Sequence, residues 1–129
     1  MKLKILIFLL LLNFHNSLIA DDCIKLVFNK YCLGGMTQNT NKITDKNIKI
    51  DTKDNIIIAV ETMIKPANWL TYFDYSSRLN QKYGQGLDNS TFPNYAHSRN
   101  AKEKLIAFKK GYAKQLWQQQ NFKIILDMG

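Results

Sequence analysis

Apolar residues fall in blocks along the chain, and each block has its own spacing. Ile48 and Ile50 alternate with polar residues in NIKID, the period-two pattern of a half-buried strand. Residues 56–60 are a continuous apolar, mostly β-branched run, as in a strand buried on both faces. Asp54-Asn55 supplies turn residues between them, so 47–63 is predicted as a hairpin. The spacing then becomes helical. Trp69, Leu70, Phe73, Leu79 and Tyr83 carry an apolar face, with Tyr72 and Tyr75 on its flank, and predict a helix over 66–83. Pro66 suits its first turn and Gly84 its end. Asp74 and Arg78 stand i, i+4 on it. QGLDNSTFPNYAHS reads as a long loop. A second helix is predicted over 99–111, capped by Ser98 or Asn100, with Ala101, Leu105 and Phe108 inward and Gly111 as its stop. YAKQLWQQQNFKIILD reads as a closing hairpin over 113–127, with QQN as its turn; the alternative lets the second helix run on to Gln118. Trp117 is expected in the core between this hairpin and the second helix. Strands, two helices, then strands make an α+β protein: a small antiparallel sheet with both helices on one face.

The front of the chain has another pattern. MKLKILIFLLLLNFHNSLIA has a basic start at Lys2 and Lys4, an apolar run from Ile5 to Leu12, and a small residue at Ala20. That is the layout of a secretory signal peptide cleaved after Ala20. The run stops at Asn13, short of the ~20 apolar residues that cross a bilayer. Asp22 before Cys23 argues against a lipoprotein signal. Residues 1–20 are therefore expected to be a leader and 21–129 one small domain, secreted or periplasmic. Removing the leader lowers the formal charge from +8 to +6. Arg78 and Arg99 are the only arginines. Scattered lysines favour solubility and loose attraction to anionic surfaces rather than base reading, so no nucleic-acid partner is expected.

Export makes a disulfide between Cys23 and Cys32, the only two cysteines, chemically reasonable. A single helix would hold them ~13 Å apart and a single strand ~30 Å apart. A disulfide needs Cα atoms within about 7 Å. The bond therefore requires the chain to double back inside CIKLVFNKYC, with a helical turn before a reversal at Asn29-Lys30. The competing reading is one continuous helix capped by Gly34, with Ile24, Val27, Phe28 and Tyr31 on one face. The polar stretch from Thr37 to Lys46 reads as a loop.

From Ile56 onward the chain resembles a group of small secreted Gram-negative proteins of unknown function. The shared features are KYG at 82–84, KG at 110–111, Trp117 and IIL at 124–126. The resemblance implies export and supplies no active site. Such proteins usually continue past the last strand, so the reading frame is expected to be truncated, or the final strand to be an edge.

Candidate chemistry is sparse. His97 lies near Asp88, Ser90 and Ser98 in sequence, but no nucleophile elbow surrounds either serine. KYGQG lacks the features of a phosphate loop and reads as a helix end and a turn. No cofactor, metal or catalytic set is expected. Trp69, Tyr72, Phe73, Tyr75 and Tyr83 form an aromatic group, either core or a sugar- or peptide-binding platform. Arg99, Lys102, Lys104, Lys109 and Lys110 are the candidate contact with an anionic surface. These readings favour an exported, non-catalytic binding or accessory protein, with an envelope component or another protein as partner. The alternatives are a cationic effector binding anionic lipid or cell-wall polymer, and, behind it, a small hydrolase.

Overall fold

The computed structural model describes residues 1–10, 24–28, 30–36 and 47–129. Its strands are β1 (Leu3–Leu9), β2 (Lys25–Val27), β3 (Tyr31–Leu33), β4 (Ile48–Lys53), β5 (Ile56–Ile64), β6 (Leu87–Asp88), β7 (Ala113–Gln118) and β8 (Phe122–Met128). The helices are α1 (Trp69–Tyr83) and α2 (Arg99–Ala107). β2 and β3 form a two-stranded sheet, and the other strands lie in the order β4-β5-β1-β8-β7-β6. The protein is α+β, as its pattern of elements predicts. No helix among the described residues is long and apolar enough to cross a membrane.

The chain divides into two compact units. One comprises 1–5, 63–118 and 125–129, the other 6–62 and 119–124. In the second unit, Asp54 and Asn55 both take positive φ, 53° and 65°, and join β4 to β5 with Lys53 opposite Ile56. A two-residue hairpin turn needs that handedness, and Asp and Asn tolerate it better than most residues. Ile57, Ala59 and Val60 are buried, as the apolar run implies. The stretch after the leader is a hairpin: Lys25 faces Leu33, Leu26 faces Cys32 and Val27 faces Tyr31. The continuous helix and the expected helical turn are both replaced by strands. The reversal between Val27 and Tyr31 is real, and Phe28 takes φ 55° there. Asn29 and Cys23 lie outside the described residues, as do 11–20 and the expected loop at 37–46. No described cysteine is free, and the bond between Cys32 and Cys23 stands as a proposal.

β1 occupies residues that read as the apolar core of a leader. Leu3, Ile5, Ile7 and Leu9 are buried, and the residues between them are half-buried. Lys2 and Gly129 exchange both backbone hydrogen bonds, which sets β1 antiparallel to β8. β8 therefore has neighbours on both sides, β1 and β7, and the last strand is not an edge.

In the first unit α1 begins later than expected. Pro66 lies in the connection from β5, and Asn68 caps the helix, its Oδ1 accepting from the Thr71 N–H. Glu103 adds a carboxylate oxygen 3.2 Å from the Trp69 N–H, where an acid offsets the positive end of the helix. Arg78 pairs with Asp74 at 3.1 Å on the exposed side. α2 is capped by Ser98, as expected, but ends four residues before Gly111. Lys109 takes the left-handed conformation at φ 60°, and two bonds close the end: Lys109 N–H to the Ile106 carbonyl, Lys110 N–H to the Leu105 carbonyl. That is a Schellman ending with lysine where glycine is usual. Gly111 has another task. A Cβ there would stand 2.8 Å from the Phe92 ring, so the residue allows a close approach.

Trp117 is buried on β7, against the end of α1 rather than against α2. Its indole N–H donates to Asn80 Oδ1 at 3.0 Å and to the Gly84 carbonyl at 3.1 Å. Asn80 Oδ1 also accepts from the Gly86 N–H. A Cβ on Gly86 would lie 2.6 Å from the indole, so only glycine lets the chain pass over this ring.

Two outcomes test this account. Trp117→Ala should cost ~3–5 kcal/mol in chemical denaturation, the usual range for a buried tryptophan; an unchanged midpoint would show the residue is not buried. Lys109→Gly should stabilise the protein by about 1 kcal/mol, because glycine takes positive φ without the Cβ penalty. A fall in stability would show that Lys109 is not left-handed.

Candidate functional site

Three segments of the first unit meet around a cleft of about 560 Å³. Each presents residues at the spacing of its own geometry. From α1 come Trp69, Tyr72, Phe73 and Ser76, at i, i+3, i+4 and i+7, one helical face. The second segment is the stretch read as loop. Leu87 pairs with Leu116 and Asp88 with Gln115, and Asn89 and Thr91 continue the hydrogen bonding along β7. This extended backbone sends Asp88, Ser90 and Phe92 to one side, at i, i+2 and i+4. The third is the turn before α2 and its first residues, which bring His97, Arg99 and Lys102.

The wall is aromatic. Trp69 stacks on Phe73 with centroids 5.0 Å apart and meets Tyr72 edge-on at 5.3 Å. Phe92 lies 6.1 Å from Trp69. Trp69 and Tyr72 are buried, whereas Phe73 is 43% exposed. The aromatic group is thus neither simple core nor an open platform. It is a packed wall with one face to solvent. Tyr75 and Tyr83 are not among its lining.

The cations sit on this wall. The Arg99 guanidinium lies 5.0 Å from the Phe73 centroid, and the Lys102 ammonium 5.4 Å from that of Phe92. Neither forms an ion pair among the described residues. The expected basic face of α2 therefore splits. Arg99 and Lys102 line the cleft, while Lys104 and Lys110 flank a shallower hollow of about 230 Å³ with Tyr95 and Phe108. Lys109 ends the helix.

Three neutral polar side chains of the cleft already have partners, those of Ser76, Ser90 and Gln115. Ser76 Oγ donates to Gln115 Oε1. Ser90 Oγ accepts from the Lys114 N–H at 3.0 Å and donates to the Lys114 carbonyl at 3.4 Å. Asp88 Oδ1 accepts from the Ser90 N–H. Asp88, Ser90 and His97 do share the cleft, but the Ser90 hydroxyl is held by backbone, and Ser98 is occupied as a helix cap. Two polar atoms in the wall have no hydrogen-bond partner: the Trp69 indole N–H and the Tyr72 hydroxyl. Burial raises the Tyr72 pKa above its ordinary value. The Asp88 charge raises it further, Ser90, close to the hydroxyl but engaged with Lys114 and outside hydrogen-bonding geometry, works the other way, and Asp127 adds a smaller upward push. Tyr72 therefore keeps its proton at neutral pH. No group of metal-binding side chains gathers among the described residues.

Comparison of the chain with protein-family models, with curated proteins and with solved structures finds no match. The cleft must be interpreted from its own geometry.

Helical spacing made the aromatic residues visible in the sequence. Phe92 and Gln115 were missed, because the short β6 pairing that aligns them has no hydrophobic pattern, and Ser76 was missed because a single serine on a helix face gives no signal.

The orphaned hydroxyl gives a test. Tyr72→Phe should leave stability unchanged or raise it by up to about 1 kcal/mol, since no protein hydrogen bond is lost. Wild type should also lose stability as pH rises past ~10, where the unfolded phenol ionises and the folded one stays neutral. Tyr72→Phe should weaken that loss. A destabilised variant with an unchanged alkaline limb would show that the hydroxyl is paired.

Proposed function

We propose that the chain is a non-catalytic binding protein acting outside the cytoplasm, and that the cleft of the first unit is its contact surface. The observation that carries this reading is the convergence of an aromatic wall with two unpaired cations, Arg99 and Lys102, beside buried donors without partners. A concave pocket of this size, with an aromatic wall and convergent polar and charged groups, is a usual form of small-ligand site. The backbone engagement of Ser90 supports a non-catalytic role, because that hydroxyl is not poised beside a base.

Export rests on the leader layout of residues 1–20. That layout and strand β1 are alternative fates of the same residues. Each buried Leu or Ile of β1 contributes ~1.5–3 kcal/mol. Together they rival the whole stability of a small domain, ~5–15 kcal/mol. The cleft draws no residue from β1. Intact mass of the protein recovered from periplasm or medium should begin at Asp21. The same spectrum, before and after reduction, reads the proposed Cys23–Cys32 bond. A full-length chain found only in the cytosol would overturn export and leave β1 as a permanent strand.

A second reading has its own observation. Tyr95 and Phe108 are exposed beside Lys104 and Lys110, a mixture that suits an anionic membrane surface. Phosphatidylglycerol vesicles should then bind the protein and release it as salt rises.

The cleft itself is tested by the indole N–H signals of 15N-labelled protein. Trp69 lines the cleft, and Trp117 is hydrogen-bonded elsewhere, so it serves as internal control. Among 2-naphthoate, 2-naphthylmethanol and glucuronate, at least one should shift the Trp69 signal saturably and leave Trp117 in place. No response from Trp69 to any of them would overturn the cleft as the contact surface.

A further inference from the structure

We infer that the cleft takes a small aromatic acid: a flat apolar body carrying one carboxylate. This rests on the cleft being the contact surface and goes further by naming what occupies it. The argument is one of elimination among the groups the cleft leaves available. A sugar needs several donors and acceptors around its ring. Ser76, Gln115 and Ser90 already bond to one another or to β7, and Asp88 accepts from the Ser90 N–H. What remains is the exposed face of Phe73, the rings beside it, the exposed Asn94 and His97, too few to encircle a sugar ring, and two cations.

The cations set the charge. Arg99, Lys102 and Asp88 give the lining a formal net charge of +1. One carboxylate balances that, whereas a dianion would face Asp88 with excess charge. Position favours the same group. Arg99 is the first residue of α2, no acid stands in that first turn, and the helix leaves the Arg99 and Asn100 N–H groups without intrahelical acceptors. The positive end of the helix dipole thus lies beside Arg99. Planar guanidinium matches planar carboxylate through two parallel hydrogen bonds, which a lysine cannot reproduce. Of the two arginines in the chain, Arg78 is paired with Asp74, and Arg99 is the one left for a ligand.

A second observation points to a ligand independently of the helix end. Trp69 and Tyr72 are each more than nine-tenths buried, and each holds a polar hydrogen without an acceptor. Native proteins leave few such groups, and each calls for a partner. An acid bearing acceptor atoms supplies one where an aliphatic ligand does not. The volume of about 560 Å³ suits a bicyclic molecule.

The experiment titrates the 15N-labelled full chain with 2-naphthoate, its neutral counterpart 2-naphthylmethanol, and the non-aromatic acid glucuronate. The expected result is saturable movement of the Trp69 indole signal, with 2-naphthoate at least ~tenfold tighter than either control. Arg99→Gln, at an exposed position, should bring 2-naphthoate to the level of the alcohol. If the alcohol binds as tightly as the acid, or glucuronate binds tighter than both, the aromatic-acid assignment falls while the cleft stands. If Arg99→Gln leaves 2-naphthoate affinity unchanged, the carboxylate site is wrongly placed and the inference falls. If none of the probes moves Trp69, both the inference and the reading beneath it fall.

Discussion

The indole of Trp117 ties the end of α1 to β7, and the geometry of the first unit follows from that contact. Its N–H is shared between Asn80 and the Gly84 carbonyl, and the same Asn80 oxygen holds the Gly86 N–H. The chain leaving α1 is thereby pressed over the ring and started along β7, where Leu87 and Asp88 pair. Once that register is set, alternation carries Ser90 and Phe92 to the same side as Asp88. The helical face from Trp69 to Ser76 then has an opposing wall, held by the bond from Ser76 to Gln115. A side chain on Gly86 would push the strand off the ring. The cleft therefore depends on one tryptophan, one asparagine and one glycine, none of which lines it.

Elements whose signal is local were legible in the sequence. The hairpin from β4 to β5 announces itself through Asp54-Asn55 and the β-branched run after it. The closing hairpin does so through Trp117 and the apolar stretch that follows QQN. Helix ends were less legible, because they depend on which cap prevails. Pro66 looked like a start, but Asn68 supplies the acceptor that the first free N–H groups require. Gly111 looked like a stop, but Lys109 makes the turn. β1 was hidden for a different reason. LKILIFL is apolar at nearly every position, and such a run has no period to separate a buried strand from a leader. Only the alternating burial shows which residues face inward most completely.

The cleft was half legible. Aromatic residues at helical spacing are most often core, and two of the three that α1 gives the cleft are indeed buried. Phe73 breaks the pattern, exposed beneath a guanidinium. The basic residues of the second helix were correctly grouped by sequence, but helical rotation divides them. Arg99 and Lys102, three apart, share a face. Lys104 turns away, and Lys109 lies beyond the helix. Asp88 and Ser90 sat in a segment with no periodicity at all. Their meeting with Trp69 and Tyr72 is a long-range event fixed by β7 pairing, which no local window contains.

The placement of Arg99 runs against ordinary helix electrostatics. A cation at the first position of a helix faces the positive end of the dipole, a cost of some tenths of a kcal/mol at a surface. Glutamate or aspartate is the common choice there, and neither helix of this protein has an acid in its first turn. Contact with the Phe73 ring returns ~0.5–1 kcal/mol at an exposed site. The two effects nearly cancel, so folding stability gives no strong reason for an arginine there. The ring holds the guanidinium in place, and the helix end adds to the field in front of it. Stability alone would equally allow a glutamine or an acid at position 99. An anion arriving in the cleft would not.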